Sequence, residues 1–234
     1  MTVADPPSAS PLPAAGAVPE FRRVFGHEKP ALRGWMHLLW FEASLIAGTL
    51  VLAHARGPVR IAALAIYAAS VSALFGASAL YHRGNWSARW RRRLQRLDQA
   101  MILFLIAGTA TPAFLLGSRG ASGAVCLIVL WTLTGAVAAL RMARLRAPER
   151  LTGAVYIGLG LVASGSIPGV WISDGITPAA LLLAGSLLYL AGALTYHRRR
   201  PDPWPAVFGY HEVFHAYVCA AAVCQYVAIA LFIS

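Results

Sequence analysis

Residues 98–117 read DQAMILFLIAGTATPAFLLG. After the opening acid, nineteen residues pass without a charge. A helix rises 1.5 Å per residue, so this run extends about 30 Å, the thickness of a bilayer's hydrocarbon core. Lipid offers the backbone no hydrogen-bond partner, so such a run crosses as a helix. Six more apolar runs lie around it, at 35–54, 59–81, 122–142, 152–172, 177–197 and 208–233. The expected fold is therefore all-α: a polytopic membrane protein with seven transmembrane helices.

Composition agrees. The 234 residues are 58% hydrophobic and 12% charged, with a mean hydropathy of +0.62. A soluble domain carries roughly 25% charged residues, about twice as many. This excludes an ordinary soluble enzyme, a secreted disulfide scaffold and a disordered chain, and the unbroken apolar runs argue against a membrane β-barrel. Cys126, Cys219 and Cys224 lie within apolar runs without CxxC spacing, so they read as packing residues. Residues 1–24 read as a disordered tail, with no apolar core that would mark a cleavable signal, and 25–234 as the seven-helix domain.

Twenty Lys and Arg against nine Asp and Glu give a net charge of +11. In a soluble chain that excess would suggest nucleic acid; here the cations lie between apolar runs and read as topology signals, with no nucleic-acid partner. Seventeen fall on one side: Arg22, Arg23, Lys29, Arg33, Arg83, Arg89, Arg91, Arg92, Arg93, Arg96, Arg141, Arg144, Arg146, Arg150, Arg198, Arg199 and Arg200. Arg56, Arg60 and Arg119 fall on the other. Basic residues stay in the cytoplasm, so the N-terminus is expected inside and the C-terminus outside a cell membrane.

Ionisable groups inside spans are costly and mark sites. Ser78 and His82 close the second run, and His211 and His215 open the seventh, each pair four residues apart and thus on one helix face. Asp98 opens the third. The charge count puts all of them at the cytoplasmic depth of the membrane. Three neutral imidazoles with an open fourth position make a catalytic-type zinc site, here His82, His211 and His215. Asp98 would then serve a metal-activated water as base, and Ser78 would hydrogen-bond the water or a substrate carbonyl. Each residue taken alone also fits a plainer role: His82 as an interfacial histidine, Asp98 as a helix N-terminal acid facing the macrodipole, and Ser78 as a packing serine. His37 and Glu42 in the first run are five residues apart and so on different faces; Glu42 reads as a buried acid with a packing partner or as an access-path residue, and His37 has no assigned role. His27, His54 and His197 read as interfacial. Gly153, Gly158, Gly160 and Gly165 read as close-packing positions, and Pro112 and Pro168 as kinks.

SALYH at 78–82, LDQAMILFLIAGTATP at 97–112 and HEVFH at 211–215 resemble, in order, three motifs of the hemolysin III and adiponectin/progestin-receptor family. EKPALRGWMH at 28–37 is similar to the family's bacterial branch. The resemblance covers about residue 25 to the C-terminus. It implies a seven-helix fold with a cytoplasmic N-terminus, opposite to G-protein-coupled receptors. It also implies zinc on the residues matching His82, His211 and His215, with Ser78 and Asp98 around the metal's water. The wider superfamily includes alkaline ceramidases, and its bacterial members are linked to membrane-lipid control and to cell lysis.

Three functions follow. The first is a zinc-dependent lipid amide hydrolase acting on a ceramide-like or other acyl-chain substrate. The second is a non-enzymatic membrane sensor, lipid regulator or cytolytic protein with structural zinc. The third is an intramembrane metalloprotease, because HEVFH fits HExxH with Glu212 as base. The Asp174–Gly175 pair would be its further ligand, but the charge count puts that pair across the bilayer.

Overall fold

The computed structural model describes residues 30–117, 121–143 and 148–231. The proposed tail, and with it Arg22, Arg23, His27 and Lys29, lies outside the described residues, as do Arg119, Arg144 and Arg146.

Seven helical spans are present, each long and apolar enough to cross a membrane. They comprise α1 (Trp35–His54), α2 (Pro58–Arg83), α3 (Ala88–Pro112), α4 (Ala121–Met142), α5 (Glu149–Ser164), α6 (Ile167–Asp174), α7 (Ile176–Arg198) and α8 (Tyr210–Ala230). α3 continues through a π turn, Ala113–Gly117, directly after Pro112. Proline lacks the N–H that the ladder needs, and a widened turn is a common accommodation. α5 and α6 together form the fifth span. They part at Gly165 and Ser166, and Pro168 opens the first turn of α6, where its missing N–H costs nothing. The bend expected at Pro168 is thus a break and restart.

The third span begins earlier than its hydropathy suggests. Asp98 was expected to open it, with Arg89, Arg91, Arg92, Arg93 and Arg96 in a connector, but α3 starts at Ala88. ARWRRRLQRL is rich in Arg, Leu and Gln, which favour helix, and Leu94 on its inner face is buried. The connector shrinks to residues 84–87, where the Trp86 indole donates to the Leu80 carbonyl at 2.8 Å and ends α2. Asp98 therefore lies in the third turn of α3, and a macrodipole role at a helix start is lost.

α3 is the most buried span. The closest pairings are α7 with α8, α2 with α3, and α1 with α2. α2 and α3 approach at Gly108, where a Cβ would sit 2.0 Å from Ser70 Oγ. Gly153, Gly158 and Gly160 face open space instead, so their expected packing role is not seen within the chain. Cys126, Cys219 and Cys224 are free thiols.

Candidate metal centre

The site forms where α1 begins, α2 ends and α8 begins, beside the third turn of α3. His82 occupies the last turn of α2, and His211 and His215 the first two turns of α8. One ring nitrogen from each lies within 4.8 Å of the other two. The ring centroids are 4.4 Å apart for His211–His215, 4.8 Å for His82–His211 and 5.2 Å for His82–His215. The Nε2 atoms of His82 and His211 are 3.3 Å apart. With zinc–nitrogen bonds of about 2.0–2.1 Å, the edge of a ligand tetrahedron is also roughly 3.3–3.4 Å; the His82–His211 pair has that spacing, and the set as a whole, spread over up to 4.8 Å, would draw in around an ion. Among the described residues it is the one group of three that could hold a metal.

The two other candidate residues arrive at the same place. Asp98 Oδ2 is 3.8 Å from His82 Nε2, and the buried Ser78 neighbours the Asp98 carboxyl. The turn carrying Asp98 is anchored through Gln99. Arg141 donates to the Gln99 side chain at 2.6 Å, and the Tyr156 hydroxyl donates to its backbone carbonyl at 2.9 Å. A metal held by these imidazoles would supply a Lewis acid beside the Asp98 carboxylate, which is placed to accept a proton.

Three neighbours were not identified as partners from sequence. Glu212 is 1% exposed; the Arg33 guanidinium engages both of its oxygens, and the Gly209 N–H donates to Oε2 at 2.9 Å. This is one arm of a capping box, since glycine has no side chain to return the bond. The His37 ring stacks on His215, with centroids 3.8 Å apart and planes 13° from parallel. Both of its nitrogens are buried, without a hydrogen-bond partner among the described residues. Gly34, at φ +80°, presses against His82: a Cβ there would lie 2.7 Å from His82 Cβ. Histidine at position 37 was a visible signal without a destination; Arg33 was counted only as a topology charge. Glu42, His54 and His197 are exposed and are not part of the three-histidine group.

Asp174 ends α6 just before α7 begins. α7 has 23 residues, about 34 Å of helix, and its far end leads to the histidines. Asp174 therefore does not join the cluster.

A family model described as Haemolysin-III related matches residues 25–226. The chain is 25% identical over 167 residues to the Hemolysin-3 homolog of Bacillus subtilis (strain 168), covering 71% of this chain and 75% of that protein. It is 25% identical over 173 residues to Hemolysin-3 of Bacillus cereus, covering 74% and 76%. It is also 37% identical over 93 residues to the heptahelical transmembrane protein ADIPOR2 of Oryza sativa subsp. japonica, covering 35% and 40%.

Proposed function

The chain belongs to the haemolysin-III related family, and from its histidine cluster we propose that this multi-pass membrane protein is a zinc-dependent hydrolase of lipid amide bonds. His82, His211 and His215 hold the ion near the cytoplasmic face, the side to which the seventeen cations point. The observation that carries the reading is the convergence of three imidazoles with Asp98 at one end of a lipid-facing bundle. Zinc bound there would supply Lewis acidity, which polarises a carbonyl and lowers the pKa of a water to about 7. Asp98 takes the proton of the attacking water and returns it to the leaving amine. Ser78 orients the Asp98 carboxylate.

An acyl-chain substrate has a lateral approach. An apolar groove of about 110 Å³ lies between α1, α2 and α8, with Trp40, Tyr67 and Phe75 among its walls. Phe75 also touches His37 edge-on at 5.0 Å, so the groove ends one ring from the ring stacked on His215. The test is lipid turnover by the purified full chain on a ceramide and phospholipid panel. Zinc-dependent release of fatty acid from an amide supports the reading; no turnover of any amide at full zinc occupancy overturns it.

One observation favours a regulatory protein with structural zinc: the ion would join the end of α2 to the start of α8, two helices without a substantial shared face. That reading expects Asp98→Asn to leave lipid homeostasis intact. The metalloprotease reading is not supported, because Glu212 is fully engaged by Arg33 and Gly209.

A further inference from the structure

We propose that the entry to α1, Arg33 through His37, is a clamp that positions the three histidines. The inference rests on the zinc-centre reading of the cluster. The histidines come from α2 and α8, whose backbones stay apart while their side chains meet across a groove. α1 packs against both α2 and α8, whereas α2 and α8 are not among the packed pairs. Beyond the direct ring contacts, the entry to α1 is placed to hold His82 in register with His211 and His215, because it touches all three neighbourhoods within five residues.

The chain leading into α1 is first fastened to the connector that leads into α8. The Ala31 N–H donates to the Ala206 carbonyl at 3.0 Å, and the Leu32 N–H to the Val207 carbonyl at 3.2 Å. A tight turn between Trp204 and Phe208 presents those carbonyls. Arg33 then engages Glu212, which directly follows His211 and ties back to Gly209. A carboxylate buried this deeply needs a paired cation, so the first turn of α8 is held where Arg33 stands. Gly34 comes next. Its left-handed backbone and missing side chain let the main chain lie against His82. One residue further, Trp35 receives the Arg83 guanidinium over its ring at 3.9 Å, fixing the end of α2. His37 completes the contact by stacking on His215.

His37 acts through its ring face. Its two nitrogens have no hydrogen-bond partner among the described residues, whereas its face stacks on the His215 ring, so a phenyl ring can do the same work. Partners of this kind, which orient a metal ligand without touching the metal, typically change affinity by about 10–100-fold.

The test is zinc affinity by chelator competition on the purified full chain, together with the visible spectrum of the cobalt-substituted protein. His37→Ala and Arg33→Met should each weaken zinc about 10–100-fold and alter the cobalt bands. His37→Phe should keep the wild-type spectrum and an affinity close to wild type. Should Arg33→Met fail to fold, the alanine and phenylalanine pair at position 37 still decides. If wild type binds no zinc, the metal centre falls and the clamp with it. If wild type binds zinc and His37→Ala binds it equally well with an unchanged spectrum, the clamp alone is overturned. Equal losses in His37→Phe and His37→Ala would also overturn it, by assigning the effect to the ring nitrogens.

Discussion

Gly108→Ala probes how the bundle brings Asp98 to the histidines. The added Cβ would sit 2.0 Å from Ser70 Oγ and 2.5 Å from Ser70 Cβ. Ser70 cannot easily turn aside, because its hydroxyl is buried and donates to the Tyr67 carbonyl at 2.8 Å. Carbon atoms rest about 3.5–4.0 Å apart, so α2 and α3 must part by roughly 1–1.5 Å. Overpacking costs about 1–3 kcal/mol, and an overlap this deep belongs to the upper half of that range, about 2–3 kcal/mol. Replacing a helical glycine by alanine returns about 0.8–1.0 kcal/mol. The net expectation is destabilisation by about 1–2 kcal/mol. For a chain of this size that lowers the melting temperature by roughly 2–8 °C. The contact also bears on the site. Eight residues along α2 from Ser70 lies Ser78, and ten back along α3 from Gly108 lies Asp98, so in an antiparallel pair the two contacts share nearly one register. Parting the helices should reduce turnover while the histidines, on α2 and α8, still bind zinc. The assay is thermal unfolding in detergent micelles, with zinc content and lipid turnover on the same samples. Ser70→Gly removes both clashing atoms, so the double variant should recover stability, with a coupling of about 1–2 kcal/mol. A wild-type melting temperature for Gly108→Ala, or strict additivity in the double variant, would refute the close approach.

Asp98→Asn should keep one zinc per chain and lower amide turnover by about 10²–10⁴-fold, the usual contribution of a positioned base; unchanged turnover removes Asp98 from the chemistry. Glu212→Gln separates the anchor from a protease base. It should lower thermal stability by about 1.5–3 kcal/mol, the worth of a hydrogen bond to a charged group, and retain turnover at saturating zinc. Abolished turnover in a folded, zinc-loaded Glu212→Gln would restore the HExxH reading.

The parts of this molecule legible in its sequence are those governed by one-dimensional patterns. Apolar length marked seven spans, and the i, i+4 pairs 78/82 and 211/215 marked faces that the alternating topology carries to one end of the bundle. Local polarity hid the start of α3: Arg89 through Arg96 look like a loop on any hydropathy measure, although their backbone favours helix and Leu94 faces inward. Glycine was misleading where only three-dimensional neighbours decide its role, since Gly108 makes the close approach and Gly153, Gly158 and Gly160 face open space. The pairing of Arg33 with Glu212 spans 179 residues. In a chain with twenty Lys and Arg, nothing local distinguishes the arginine that anchors a helix from the others. His37 was conspicuous as an intramembrane histidine, but stacking on His215 depends on how α1 leans on α8, which no spacing encodes.

Elemental analysis of the full chain, purified without added metal, beside His82→Ala, bears most directly on the whole proposal. Wild type should carry about one zinc per chain through its three imidazoles and one open position, and His82→Ala should lose it while remaining helical and monodisperse. A wild-type protein that takes up no zinc even from an equimolar supply, or a His82→Ala variant that holds it as tightly, would contradict the assignment.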